Sequence, residues 1–154
     1  MKSLAASVVL LTSLVAGAPQ AAKDYSYAAA YKEAQETGRP LVVLVGADWC
    51  SACQTMKQSV IPAVSRQGGL DNVAFAIVNT DRESRIASRL MSGSSIPQLV
   101  TYRKTEGGWK RTQMTGAQSA SRVVSHLNQI VELAAQERGD QHPSEDASAT
   151  LAAH

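Results

Sequence analysis

The chain is short of the residue types that most often declare a function. It has two cysteines and three histidines in 154 residues. Two cysteines exclude a disulfide framework; they form one bridge, cycle between thiol and disulfide, or supply half of a metal site. A structural zinc site takes four ligands. The other candidates, His126, His142 and His154, lie far downstream of the cysteines. An excess of charge of one sign is also missing, since 15 Lys+Arg against 13 Asp+Glu leave +2. That balance argues against a nucleic-acid partner held by bulk electrostatics. No internal repeat is present, and the length suits one domain with a modest core.

The N-terminus carries the signs of export. Lys2 precedes the apolar stretch Leu4 to Ala16, with Val8-Val9-Leu10-Leu11 at its centre. Ala16-Gly17-Ala18 has the small-residue form of a cleavage site, which predicts an export signal over residues 1–18, although Pro19 would follow the cut. The alternative is a membrane anchor, because Ser3 to Ala22 carries no charge. A span needs about 20 predominantly apolar residues, and this one includes Ser7, Thr12, Ser13, Pro19 and Gln20. Export would carry the chain to the periplasm or outside the cell, where disulfides persist. Residues 138–154 turn to Gly, Pro, Ser, Asp and Ala and predict a disordered tail, leaving 19–137 as the domain.

Within that domain the pattern alternates. Asp24 to Thr37 reads as a helix stopped by Gly38 and Pro40. Leu41 to Val45 and Val73 to Val78 are apolar runs suited to buried strands. The segment after Cys50 is helical, with Met56, Val60 and Ile61 inward. Pro62 bends it, ends it or begins a second piece to Arg66. Thr80 and Glu83 have capping-box spacing, so a helix is expected from there to about Met91, burying Ile86, Ala87 and Leu90. Leu99 to Lys104 and Trp109 to Met114 form a β-hairpin around Glu106-Gly107-Gly108. Gln118 to Glu137 is a final amphipathic helix with Val123, Leu127, Ile130 and Ala134 on one side. This order predicts an α/β fold with parallel crossovers and an antiparallel hairpin at one edge.

Both cysteines sit in Ala47-Asp48-Trp49-Cys50-Ser51-Ala52-Cys53, directly after the first strand. Strand, cysteine pair, then helix places Cys50 at a helix N-terminus. Unpaired N–H groups and the helix dipole favour an anion there. Such a site lowers a thiol pKa from about 8.5 to roughly 3.5–7.5. Cys53 lies close to one turn further on, so its sulfur can reach back to Cys50. Three readings are open: redox cycling, an inert bridge closing a loop too short to stabilise much, and half of a zinc site. Asp48 reads as a surface residue or as a group tuning Cys50. Arg82, Arg85 and Arg89 form either a solvated face or a partner-binding stripe.

Trp49-Cys50-x-x-Cys53 after a buried strand resembles the thioredoxin superfamily, and so do Met56, Val78-Asn79-Thr80-Asp81, Ile96-Pro97 and Gly116-Ala117. The resemblance spans about residues 25–135 and is strongest toward small exported thioredoxin-like domains. One of these is the C-terminal domain of the membrane thiol reductase of the bacterial periplasm. It implies a thioredoxin-like α/β fold: a mixed four-stranded sheet of order 2-1-3-4 with helices on both faces. It implies an exported thiol–disulfide oxidoreductase in which Cys50 is the nucleophile and Cys53 resolves the mixed disulfide. Trp49, Ile96 and Pro97 would hold the substrate, with the Ile96–Pro97 bond cis. The partners implied are cysteine-containing exported proteins and a redox partner, with no cofactor, no metal and a monomeric state. Reduction is the favoured direction. The rivals are an oxidase or isomerase, and a binding module without turnover. One departure stands out. Thioredoxin has a buried acid and a lysine where this chain has Leu44 and Ile77. Without that acid, Cys53 is expected to be harder to deprotonate, with water or Asp48 left as proton acceptor. The interval from Asp81 to Pro97 has room for one helix and a loop, which excludes the large helical insertion of the disulfide-forming oxidases.

Overall fold

The computed structural model describes residues 24–140. The export signal expected over residues 1–18, and the tail from residue 141, lie outside the described residues.

Helix α1 spans Tyr27–Thr37. It starts later than expected because Asp24 and Ser26 serve as its entry. The Asp24 carboxylate accepts the Ser26 N–H at 2.8 Å, and the Ser26 hydroxyl accepts the Ala29 N–H, an N-cap interaction. Gly38 ends the helix in the left-handed region at φ 69°, its N–H donating to the Ala34 carbonyl. Strand β1, Leu41–Gly46, follows and is buried throughout.

The cysteine helix comes in three continuous pieces: α2 (Ser51–Thr55), a π-helical turn (Met56–Val60) and α3 (Ile61–Arg66). Pro62 does not end the segment; it enters the first turn of α3, which is the second piece to Arg66 that the sequence allowed. Proline lacks an N–H and crowds the carbonyl four residues back. The backbone widens by one residue just before it, so that the Ile61 N–H reaches the Met56 carbonyl.

Strand β2, Ala74–Asn79, lies parallel to β1. Helix α4 is Ser84–Leu90, several residues shorter at its start than expected. The expected Thr80–Glu83 capping box does not form, and α4 starts without a side-chain cap; a turn built on Asn79 leads into it. The Asn79 Oδ1 accepts the N–H groups of Asp81 and Arg82 at 2.9 and 3.2 Å, and the Glu83 carboxylate accepts the Asn79 N–H at 3.0 Å. An asparagine at a strand end readily bonds its own backbone two residues on, which holds the chain in a turn before the helix.

Strands β3 (Gln98–Thr105) and β4 (Gly108–Thr115) form the hairpin, joined at Glu106-Gly107. Strand β3 is antiparallel to both β1 and β4, and the sheet order is β2-β1-β3-β4. Helix α5 runs Ala120–Asp140. It continues past the expected end at Glu137, so the domain boundary moves with it. Glu137 pairs with Arg103 of β3, and the Arg138 guanidinium donates to the Gly38 carbonyl at 2.9 Å. Both ties fix the last turn to the body.

Alternation along β1 separates two cores. Val42 and Leu44 pack with Met56, Val64, Val123 and Leu127 on one face. Val43 and Val45 pack with Ala30, Ala34, Ala87 and Leu90 on the other. A strand covered on both sides is apolar at every position, which is why β1 reads as a continuous run. Among the described residues no helix is long and apolar enough to cross a membrane.

Candidate active site

The parallel strands β1 and β2 end side by side, with Gly46 opposite Asn79. The loops that leave these C-terminal ends build the site, as in other open α/β sheets. Cys50 caps α2 from an extended conformation, φ −88° and ψ 110°. Its Sγ accepts the Cys53 N–H at 3.2 Å and its carbonyl accepts the Gln54 N–H at 3.0 Å. Cys50 and Cys53 are joined in a disulfide, with Cα atoms 5.2 Å apart. Access to the two sulfurs differs: Cys50 is partly exposed, and Cys53 is 0% exposed.

Gly46 makes room for the inner cysteine. A Cβ added there would stand 2.9 Å from both Cβ and Sγ of Cys53, closer than side chains tolerate. Alternation puts Leu44 on the same face of β1 as Gly46. Leu44 is 1% exposed and pairs in register with Ile77. The inner sulfur is therefore backed by an aliphatic wall rather than by an acid.

Two ties cross from the loop before Cys50 to the turn after β2. Asp48 pairs with Arg82, and also with Lys57 at 3.1 Å, one carboxylate oxygen to each. The Lys57 hydrogen bond is the main reason its carboxyl lies below the ordinary carboxylate value, and the Arg82 charge adds to it. Trp49 is 74% exposed, and its indole N–H donates to the Asp81 carboxylate at 3.1 Å. Arg82 therefore lies outside α4 and is engaged, while Arg85 and Arg89 are exposed on that helix.

The Ile96–Pro97 peptide is cis. Pro97 is buried, and its carbonyl accepts the Gly116 N–H at 2.8 Å. The loop before it is held from within by Gln98, which is 0% exposed. The Gln98 side-chain amide donates to the carbonyls of Ser92 and Ser95 at 3.1 and 2.8 Å, and its oxygen accepts the Ser92 N–H. Trp49 and Ile96 line one shallow groove together with Ala87, Met91, Thr80 and three serines, its surface mostly apolar; the buried Pro97 is not part of that lining. His126 is remote from the cysteine loop. It lies half-buried on α5 with Nε2 3.5 Å from the Thr101 hydroxyl, and burial holds its pKa below the ordinary value.

Gln98 is a structural partner of the site that motif reading passes over, and Asp81, though part of the motif, is not read there as the partner of Trp49. Asp81 stands 32 positions from Trp49, and nothing local announces their pairing. Gln98 could have been suspected as a lone polar residue entering an apolar strand.

A family model described as thioredoxin-like matches residues 21–104. Among solved structures, the chain is similar to a thioredoxin from Thermus thermophilus: 26% identity, TM-score 0.59, 78% of this chain and 95% of that one. It is similar to Trichomonas vaginalis thioredoxin at 26% identity and TM-score 0.53, over 68% of this chain and 90% of that one. Fasciola hepatica thioredoxin shares the fold at 22% identity and TM-score 0.54, over 69% and 95%. No curated protein matches the chain. A vicinal cysteine pair at a helix start, carried by this fold, is suited to thiol–disulfide chemistry. With more than half of its length matched by that family model, the chain belongs to the thioredoxin-like family.

Proposed function

We propose that this protein is an exported thiol–disulfide oxidoreductase that reduces or exchanges disulfides in other exported proteins. The observation that carries this reading is the unequal access of the two sulfurs, Cys50 partly exposed at the helix cap and Cys53 enclosed. In the dithiol form the Cys50 thiolate attacks one sulfur of a partner's disulfide. That S–S bond breaks, a Cys50–partner bond forms and one partner thiolate leaves. Cys53, deprotonated, then attacks Cys50 Sγ. The mixed disulfide breaks, the second partner thiol leaves, and two electrons have passed to the partner. The product is the Cys50–Cys53 disulfide. A dithiol redox partner would restore the reduced pair, and the electrons reside in the two sulfurs without a bound cofactor.

The groove lined by Trp49 and Ile96, with Pro97 following Ile96 in the chain, would receive the partner's segment around its cysteine. Its apolar lining suits residues from a folded interior more than a charged surface loop. The leader over residues 1–18 supports export to the periplasm or beyond, and the domain would act as a monomer.

The Leu44–Ile77 wall favours one refinement. Burial raises the pKa of a thiol, and no acid stands on this face of β1 to take the Cys53 proton. Both Asp48 oxygens are engaged by cations, and its lowered pKa makes it a poor base. Water is then the acceptor, and resolution by Cys53 is slow.

A Cys53→Ala variant tests the function. It should accumulate covalent Cys50-linked partners from an exported-protein fraction, whereas Cys50→Ala should trap none. Absence of thiol-sensitive adducts in Cys53→Ala would leave a binding module instead. The reduction potential separates directions: a value near −270 mV supports a reductase and one near −120 mV an oxidase.

A further inference from the structure

Aromatic residues are scarce in this chain, at four Tyr, two Trp and one Phe. Three of the tyrosines and one tryptophan nonetheless line a single cavity of about 260 Å³. Tyr27 and Tyr31, on one side of α1, stack with centroids 5.9 Å apart and planes 21° off parallel. Tyr102 comes from β3 and Trp109 from β4, while Leu41 and Leu90 complete the apolar lining. Leu41 is the first residue of β1, and the cysteine loop leaves its last, Gly46. At about 3.3 Å per residue the two ends lie roughly 17 Å apart. The cavity is thus separate from the redox groove.

Exposure marks the same place. Among the described residues the large apolar side chains left exposed are Trp49, beside Cys50, and Tyr31 and Trp109, at this cavity. Exposed aromatics clustered around a concavity are the usual lining of a ligand site. One charge is present in that lining, the Arg89 guanidinium, and no carboxylate. Among the described residues Arg89 has no ion-pair partner. Burial holds the Tyr27 phenol above its ordinary pKa, with Tyr102 and Tyr31 adding to the rise and Arg89 opposing it. Its hydroxyl is therefore a stable donor.

These features select a ligand. Aromatic walls alone would suit a quaternary ammonium, but the Arg89 charge repels one. A guanidinium binds a carboxylate through two parallel hydrogen bonds, and aromatic faces take a flat ring by offset or edge-on contact. Small-molecule sites commonly measure about 300–1,000 Å³, so this cavity suits a single ring. We propose that it binds a small planar aromatic carboxylate, with the ring against Tyr27, Tyr31, Tyr102 and Trp109 and the carboxylate on Arg89.

The two tryptophans provide an internal control. In the ¹⁵N-labelled full chain, benzoate should shift the Trp109 indole N–H saturably and leave that of Trp49 in place. Benzyl alcohol and benzyltrimethylammonium, neutral and cationic probes with the same ring, should bind at least tenfold more weakly. Arg89→Gln, at an exposed position whose variant should keep the rest of the spectrum, should weaken benzoate at least tenfold. Equal affinity for benzyl alcohol, preference for the ammonium, an unaltered affinity in Arg89→Gln, or no saturable shift at Trp109 would overturn the proposal.

Discussion

At the scale of single residues, the chemistry turns on what stands around each sulfur. Cys50 has the backbone N–H of Cys53 directed at it. Cys53 has Gly46 against it, and Leu44 lies next along that face. Replacing Leu44 with Asp supplies the missing base, so turnover of a disulfide substrate should rise severalfold. An unpaired buried carboxylate costs several kcal/mol of stability; adding Ile77→Lys should return part of that loss. Single-turnover kinetics of mixed-disulfide resolution reads the effect, and an unchanged rate would count against a proton-transfer limit. His126 gives a pH signature. Burial lowers its pKa from 6.5 in the folded state, so the unfolded chain binds the proton more readily. Stability is therefore full above the unfolded value and falls as pH drops from about 7 through the folded pKa. Thermal melts from about pH 7.5 to 5 should show this slope, and His126→Gln should reduce it. The cysteines and Trp49 were legible because their spacing and chemistry are local, and the missing acid only through the thioredoxin resemblance. The Trp49–Asp81 and Asp48–Arg82 ties were not, because each joins residues more than thirty positions apart.

At the scale of elements, strand and helix identities were legible from apolar period, while their ends were set by side chains that bond the backbone. Asn79 shows this best. Thr80 has the residue type and spacing of an N-cap, yet Asn79 holds the turn through Asp81 and Arg82. Asn79→Ala should lower unfolding stability by about 1 kcal/mol, the typical net worth of a hydrogen bond, and Thr80→Ala by much less. Denaturant midpoints at constant slope would measure both; a larger loss for Thr80→Ala would restore the box expected from the sequence. Pro62 was legible as an interruption but not as the cause of a π-helical turn, since that depends on the packing of Met56 and Ile61, at the two ends of the turn before it. The last helix ran longer than its composition suggested because Arg138 finds the Gly38 carbonyl, a contact 100 positions away.

At the scale of the whole molecule, the fold has two ends with different chemistry. One end of the sheet carries the cysteine pair, its two polar ties and an apolar groove. The other carries a tyrosine-rich cavity with one arginine. Sheet order 2-1-3-4 was legible through the thioredoxin resemblance; the connections alone gave the parallel β1–β2 crossover and the hairpin, and not that β3 runs antiparallel to β1. The second end was not, because its aromatics are dispersed among α1, β3 and β4 and meet only when the sheet forms. The proposed function turns on the reactive end, where the reduced Cys50 would be held as a thiolate by the start of α2. Rapid alkylation of the reduced full-length protein, followed across pH, tests it most directly. A Cys50 pKa well below the roughly 8.5 of a free thiol is the expected result; a value at or above 8.5 would contradict it.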